Sequence, residues 1–403
     1  MPATRPLPPP ELIVDFDIFA GDHFDGVPQE KTLFLHDKPA VFYTPRNGGH
    51  WVVTGEEAAA YIVSRPEIFS ANLPRYETNV PPAIQYSVPL HADPPEHSVY
   101  RRALAPLFSP AAMAGKEAAI RQQARELIDA VRHRGECEFV EDIARRFPIG
   151  VFLSLVGVAP GYRESLLDWA DDIIRSPDPA VFERGTIGLV SFLKDTIAAR
   201  RASPGDDVLS QLIRADFDGR AASDDTMLSL CSNLFVGGLD TVVSASAFIL
   251  AYLASNPAIR QQLAAEPHPL RAAVVEELLR LNGVVTNARA LTRDHDYNGV
   301  PFRKGERVNL MYQIMGMDPK TTAEPLAFDP GREQRVNLIF GMGAHRCVGV
   351  NLARLEIRVF VEEWLKAIPE FTLGQEALRC QGGSVWAPLE VRLAWDPAPP
   401  GSD

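Results

Sequence analysis

The sequence predicts a mainly helical protein with a few small β-sheets, and three stretches carry that prediction. Residues 111–201 follow helical spacing almost throughout, with breaks near Gly135, at 157–161 and at 176–179. Residues 223–255 open on Ser223-Asp224-Asp225, an acidic capped start, and stay helical until Asn256-Pro257. A third helix reads from Cys347 or Val348 onward. Leu352, Leu355, Val359 and Phe360 fall at helical spacing, and Ile368-Pro369 closes it.

Composition narrows the class. The 403 residues are 46% hydrophobic and no clear linker divides them, which predicts a flexible proline-rich head over 1–10 and a single domain over 11–403. A formal net charge of −12 and the absence of a basic run argue against a nucleic-acid partner. Cys137, Cys231, Cys347 and Cys380 are scattered without a C-x-x-C pair, which suits a reducing cytoplasm better than a disulfide framework or a zinc site. The first residues contain neither a hydrophobic signal core nor a membrane span, so a cytoplasmic protein without a membrane is expected.

Taken in order, residues 40–53 read as a hairpin: Val41-Phe42-Tyr43 and Trp51-Val52-Val53 flank Asn47-Gly48-Gly49. Residues 55–64 form a helix that stops before Pro66. Residues 69–88 contain prolines and no periodicity, the mark of a long irregular loop, and such loops are usually functional. Asp93 is then expected to cap a helix carrying Pro94 and Pro95 in its first turn. His97 and Arg101 fall four apart on one face of it. Residues 203–207 are a loop. The run 223–255 spans roughly 45 Å at ~1.5 Å per residue. Its centre, Val236-Gly237-Gly238-Leu239-Asp240-Thr241-Val242-Val243, is unusual for a helix. Each glycine costs up to ~1 kcal/mol relative to alanine, and an acid and a hydroxyl interrupt an apolar stripe. Glu277 and Arg280 form an i, i+3 pair. Residues 287–292 lead into a hairpin turned by Asn298-Gly299. Residues 371–395 read as short strands and turns, with Ser384-Val385-Trp386 at a turn tip.

The stretch with the most chemistry is Phe340-Gly341-Met342-Gly343-Ala344-His345-Arg346-Cys347-Val348-Gly349. A glycine-punctuated loop delivers one sulfur to a helix N-terminus, where the macrodipole and unpaired amides favour thiolate over thiol. A thiolate is a strong axial donor for haem iron.

The spacing F-x-x-G-x-x-x-C-x-G resembles the haem-binding signature of the cytochrome P450 family, and the remaining motifs match it in order over nearly the whole chain. The resemblance implies the P450 fold, a helix-rich triangular prism with haem b between the long distal helix and the cysteine-loop helix. Cys347 is then the axial ligand, with Phe340, Gly341 and Gly349 framing it. His97, Arg101, Arg289 and His345 occupy propionate-binding positions, and charge-assisted donors suit entering carboxylates. Asp240 and Thr241 match the acid–alcohol pair that relays protons, and Gly237 and Gly238 make room for O2. Glu277, Arg280 and Arg332 match a structural triad.

Val236–Val243, 276–280, 289–292 and 364–371 look most like the soluble bacterial camphor hydroxylase subfamily. That likeness implies a small hydrophobic substrate and electrons from a [2Fe–2S] ferredoxin with its ferredoxin reductase, docked where Arg101, Arg102 and Arg346 present positive charge. The pocket positions are Gln85, Tyr86, Ser87, Val88, Asn233, Val236, Gly237, Val285, Asn287 and Val385. Gln85 stands where the subfamily has a ketone-binding tyrosine, Ser87 where it has an aromatic, and Asn233 where it has a leucine. These departures favour a terpenoid or norisoprenoid carbonyl compound such as an ionone over camphor. The expected activity is a monooxygenase. A peroxide-driven peroxygenase typically carries arginine and proline in place of Asp240-Thr241, and a haem-based sensor has no need of a proton relay.

Overall fold

A 32-residue helix, Asp224–Ser255, runs through the middle of the protein, and most of its side chains are buried. Its start is built as the sequence predicts: Ser223 Oγ accepts from the Thr226 amide at 3.1 Å, and Asp224 and Asp225 occupy the first turn. The computed structural model describes residues 8–73, 87–174, 178–333, 337–374 and 377–397. Gln85 and Tyr86 lie outside the described residues.

Against this central helix pack the helices Arg146–Leu155 and Pro179–Ala202; Arg163–Ile174 packs on both of these, and Glu117–Asp129 packs on Arg146–Leu155. The cysteine helix, Val350–Ala367, packs against the central helix and against Glu117–Asp129. One core cluster joins these elements, including Phe139, Phe147, Phe360 and Trp364. Ion pairs fix the cysteine helix from outside. Arg121 reaches Glu362 and Glu363 at 2.7 and 2.6 Å, and Arg358 reaches Glu117 at 2.7 Å. Glu362 also accepts from the Leu270 amide at 2.8 Å, so its buried carboxylate is paired and hydrogen-bonded.

The strands Val41–Thr44 and His50–Val53 form the predicted hairpin, in register Val41↔Val53 to Thr44↔His50. It belongs to a five-stranded sheet. His50–Val53 pairs in parallel with Arg307–Leu310, which pairs antiparallel with Asn287–Leu291, which pairs with Phe69–Ser70. Residues 287–291 are therefore an inner strand of that sheet. The hairpin at Asn298-Gly299 is a separate one, His295–Tyr297 with Val300–Phe302. Both turn residues have positive φ, 50° and 85°, as a tight two-residue turn requires. A further strand, Glu136–Glu138, interrupts the helical block and pairs with Arg392–Ala394.

Candidate active site

The cysteine loop is shaped by two glycines with φ of +75° and +65°, Gly341 and Gly343. At Gly343 a Cβ would also lie 3.2 Å from Val63, so the position excludes larger residues twice over. The Cys347 amide donates to the Phe340 carbonyl at 2.8 Å, closing the loop. The helix begins later than its sequence periodicity predicts. Gly349 is its N-cap and Val350 its first residue, so Cys347 stands just ahead of the first turn.

Cys347 lines a cavity of about 270 Å³ between the central helix and the cysteine loop. Gly237, Gly238 and Thr241 line it from the central helix, His97 and Arg101 from the helix Glu96–Leu104, and His345 from the loop. Cys347 is exposed, and it is part of the lining of this cavity. That setting overturns the expectation of a ready-made thiolate. Burial pushes the thiol above its ordinary value, against the Gly349 amide and the charges of Arg101, Arg346 and Arg354. The helix end alone does not ionise it. A bound metal does that, because a coordinating thiol is deprotonated outright.

Opposite the sulfur, Gly237 and Gly238 leave a notch where an added Cβ would meet nothing within 4 Å. Thr241 Oγ1 donates to the Gly237 carbonyl at 2.9 Å. Asp240 points elsewhere, toward a small gap lined by Arg145 and Asp171 on neighbouring helices.

At the rim, four basic side chains gather, and Asp93 is the carboxylate that acts on two of them, His97 and Arg289. The His97 and His345 rings are 4.1 Å apart between centroids. Burial, then the charges of Arg101 and Arg289, hold His97 down to about 4; burial, then Arg289 and His97, hold His345 down to about 3. Arg289, on the inner strand, is 5% exposed and among the described residues donates only to its neighbour's carbonyl, Ala288 O, at 2.7 Å. His345 Nε2 is buried with no partner. The nearby carboxylate, Asp93, does not cap its helix as expected, because Pro95 is the N-cap. Asp93 instead accepts from Ser70 and from the Ala71 amide at 2.8 Å. Two arginines and two neutral imidazoles at the edge of an apolar cavity fit the two propionates of haem b, and Cys347 and the glycine notch line that same cavity.

Glu277 holds the predicted triad together. Arg280 binds it bidentately at 2.8 and 2.7 Å, Arg332 lies at 3.4 Å, and the Asp329 amide donates at 3.0 Å. Phe340 stacks under Arg354, whose guanidinium lies 5.2 Å from the ring centroid.

A model of the cytochrome P450 family matches residues 188–368. "Probable cytochrome P450 127A1" of Sinorhizobium fredii is 32% identical over 406 residues, covering 97% of each chain. The chain belongs to the cytochrome P450 family. The "Steroid C26-monooxygenase" of Mycolicibacterium smegmatis is 31% identical, with 90% of this chain and 91% of that one covered. Among solved structures, CYP101J2 superposes with a TM-score of 0.87 at 32% identity, covering 98% and 100% of the two chains. CYP101C1 gives 0.88 at 30%, covering 96% and 98%. The P450 is thus a haem b protein of the monooxygenase type, similar to the CYP101 group.

Four of the expected pocket positions stand on neighbouring segments. Val285 and Val385 bridge one another across the turn that carries Trp386, Asn287 lies beside Gly341, and Val236 packs against the core. Short backbone pairings hold the first three, which sequence position alone does not reveal. Ser87 and Val88 are buried, and both backbone groups of Val88 are bound to the central helix. Arg101 turns inward to the cavity rather than outward to a docking partner, while Arg102 is exposed and pairs with Asp218. Besides the apolar wall (Val151, Phe152, Leu230, Leu234 and Phe235 among it), one charged cavity residue was missed: Glu356, on the cysteine helix, whose carboxyl burial raises to about 8. Its signal was an acid interrupting the apolar face of Leu352, Leu355 and Val359. Of the helices described, Asp224–Ser255 alone is long and apolar enough to cross a membrane, and it is mostly buried inside the protein.

Proposed function

We propose that this P450 inserts one oxygen atom from O2 into a C–H bond of a small terpenoid or norisoprenoid, ionone-like rather than camphor, with electrons from a [2Fe–2S] ferredoxin and its reductase. The observation that carries the reading is the cavity: Leu230, Leu234, Phe235, Val151 and Phe152 give it an apolar wall, and polar side chains are few. Such a lining suits a compact hydrocarbon skeleton with one polar handle.

Haem ligated by Cys347 supplies, when bound, the activation of O2 and the oxidation of the C–H bond. The chain's own groups do the rest. Arg289, Arg101, His97 and His345 would hold the propionates. The glycine notch leaves room for O2 beside Thr241. Thr241 passes a proton at Oγ1, and Asp240, turned toward Arg145 and Asp171, connects it to solvent. Glu277, Arg280 and Arg332 keep the cysteine side rigid.

Thr241→Ala tests the relay. It should leave haem and substrate binding intact while most reducing equivalents appear as peroxide; full coupling of electrons to product would remove Thr241 from the reaction. Titration with a panel of ionones, monoterpenoids and camphor, followed by the substrate-induced shift in haem absorption, tests the substrate class. A large shift with ionones and little with camphor is expected. A response to steroids alone would refute the terpenoid assignment.

A further inference from the structure

We infer that Asn233 holds the polar end of the substrate and, by its place on the central helix, decides which carbon meets the glycine notch. The inference rests on the reading above, a small and mostly apolar substrate with one polar handle, and it adds where that handle sits.

The polar side chains lining the cavity have separate places. His97, Arg101 and His345 stand at the propionate edge. Cys347 and Glu356 come from the cysteine side. Thr241 Oγ1 donates to the Gly237 carbonyl at 2.9 Å, beside the notch. Asn233 remains, set among Leu230, Leu234 and Phe235, and it is the polar group left to meet a substrate once haem is in place.

Its amide is already held. Asn233 Nδ2 donates to the Val88 carbonyl at 2.6 Å, and the Val88 amide donates to Ser229 Oγ, one turn earlier, at 2.8 Å. A carbonyl accepts and never donates, so the first bond fixes which end of the Asn233 amide faces the loop. The second N–H of Nδ2 and the oxygen Oδ1 have no partner among the described residues. A substrate carbonyl can accept from that N–H, and a hydroxyl can use either atom. Because the side chain is fixed before the ligand arrives, little rotamer freedom is lost on binding.

Asn233, Gly237 and Thr241 follow one another at four-residue steps, so they share a stripe of the helix. Four residues rise about 6 Å, and a helical side chain leans toward the N-terminal end, here away from the notch. The oxidised carbon therefore lies at least ~6 Å from the handle, on the far side of a one-ring skeleton and not beside the oxygen. In an ionone, whose carbonyl is on the side chain, that far side is the ring.

The test is a binding cycle on the haem-loaded enzyme, followed by the absorption shift. Ionone and a ketosteroid are each paired with the same skeleton lacking the oxygen. Asn233→Leu should weaken ketone binding about fivefold relative to the deoxygenated partner, in each skeleton that binds. Ser229→Ala, which loosens Val88 and keeps the Asn233 amide, should leave the ketone's advantage in place. Equal weakening of both partners by Asn233→Leu means that the side chain only holds the loop, and overturns the inference; so does an advantage lost in Ser229→Ala. Products give a second readout that needs no variant. Wild type should oxidise ionone at one ring carbon and scatter over the deoxygenated skeleton, whereas oxidation beside the carbonyl, or one pattern from both, overturns the inference. A fivefold effect with the ketosteroid alone sinks the terpenoid assignment and leaves Asn233 in its role. Ionone binding without that effect does the reverse, and no binding by either skeleton overturns both.

Discussion

At the scale of single residues, Glu277 shows how one buried charge is made tolerable. Two arginines and a backbone amide converge on a carboxylate that is 5% exposed. Removing its charge would leave Arg280, itself largely buried, without compensation. Glu277→Gln is expected to cost roughly 3–5 kcal/mol, read as a fall in the urea midpoint; a loss below 1 kcal/mol would show that the triad holds nothing. The Glu277–Arg280 half of this arrangement was legible in the sequence, because i, i+3 spacing is a local fact. Arg332 was legible only through the family likeness, since 55 residues separate it from its partner. Asp93 misled for a related reason. Its position before a helix suggests a cap, yet Ser70 and Ala71 from a distant strand claim its oxygens.

Among elements, helices were easier to read than strands. The central helix announces its cap, its period and its stop within its own residues, and its observed bounds match the expected ones. The strand Glu136–Glu138 has no such signature, because the partner that makes it a strand lies at Arg392–Ala394. Likewise, His50–Val53 pairs with Arg307–Leu310 across some two-thirds of the chain. This sheet gives a pH dependence. His50 is 2% exposed, and burial, then the charge of Arg307, lower it to about 4. In the unfolded chain it takes up a proton near pH 6.5, so the folded state is at full strength above that value. Stability then falls as pH drops from about 6.5 to 4, by up to about 3 kcal/mol from this residue. His50→Asn should flatten that part of a plot of melting temperature against pH. An unchanged slope would mean that other groups account for the acid sensitivity.

For the whole molecule, the cations at the cavity rim make stability and cofactor inseparable. Burial lowers Arg101 and Arg289 and keeps His97 and His345 neutral, and two propionates would give the two arginines counter-charges and the two histidines acceptors. Haem present at a thousandfold its dissociation constant stabilises by about 4 kcal/mol. Thermal unfolding of stripped and reloaded protein should therefore differ by several degrees. Reloading with haem dimethyl ester, which lacks the carboxylates, should recover much less; equal recovery would refute the propionate clamp. Residues 229, 233 and 88 have a different reach. Because the Asn233 side chain both ties down Val88 and lines the cavity, variation at position 233 should change how readily the pocket opens as well as its wall. Relatives that differ there should differ in the speed of ligand entry as well as in the compounds they accept.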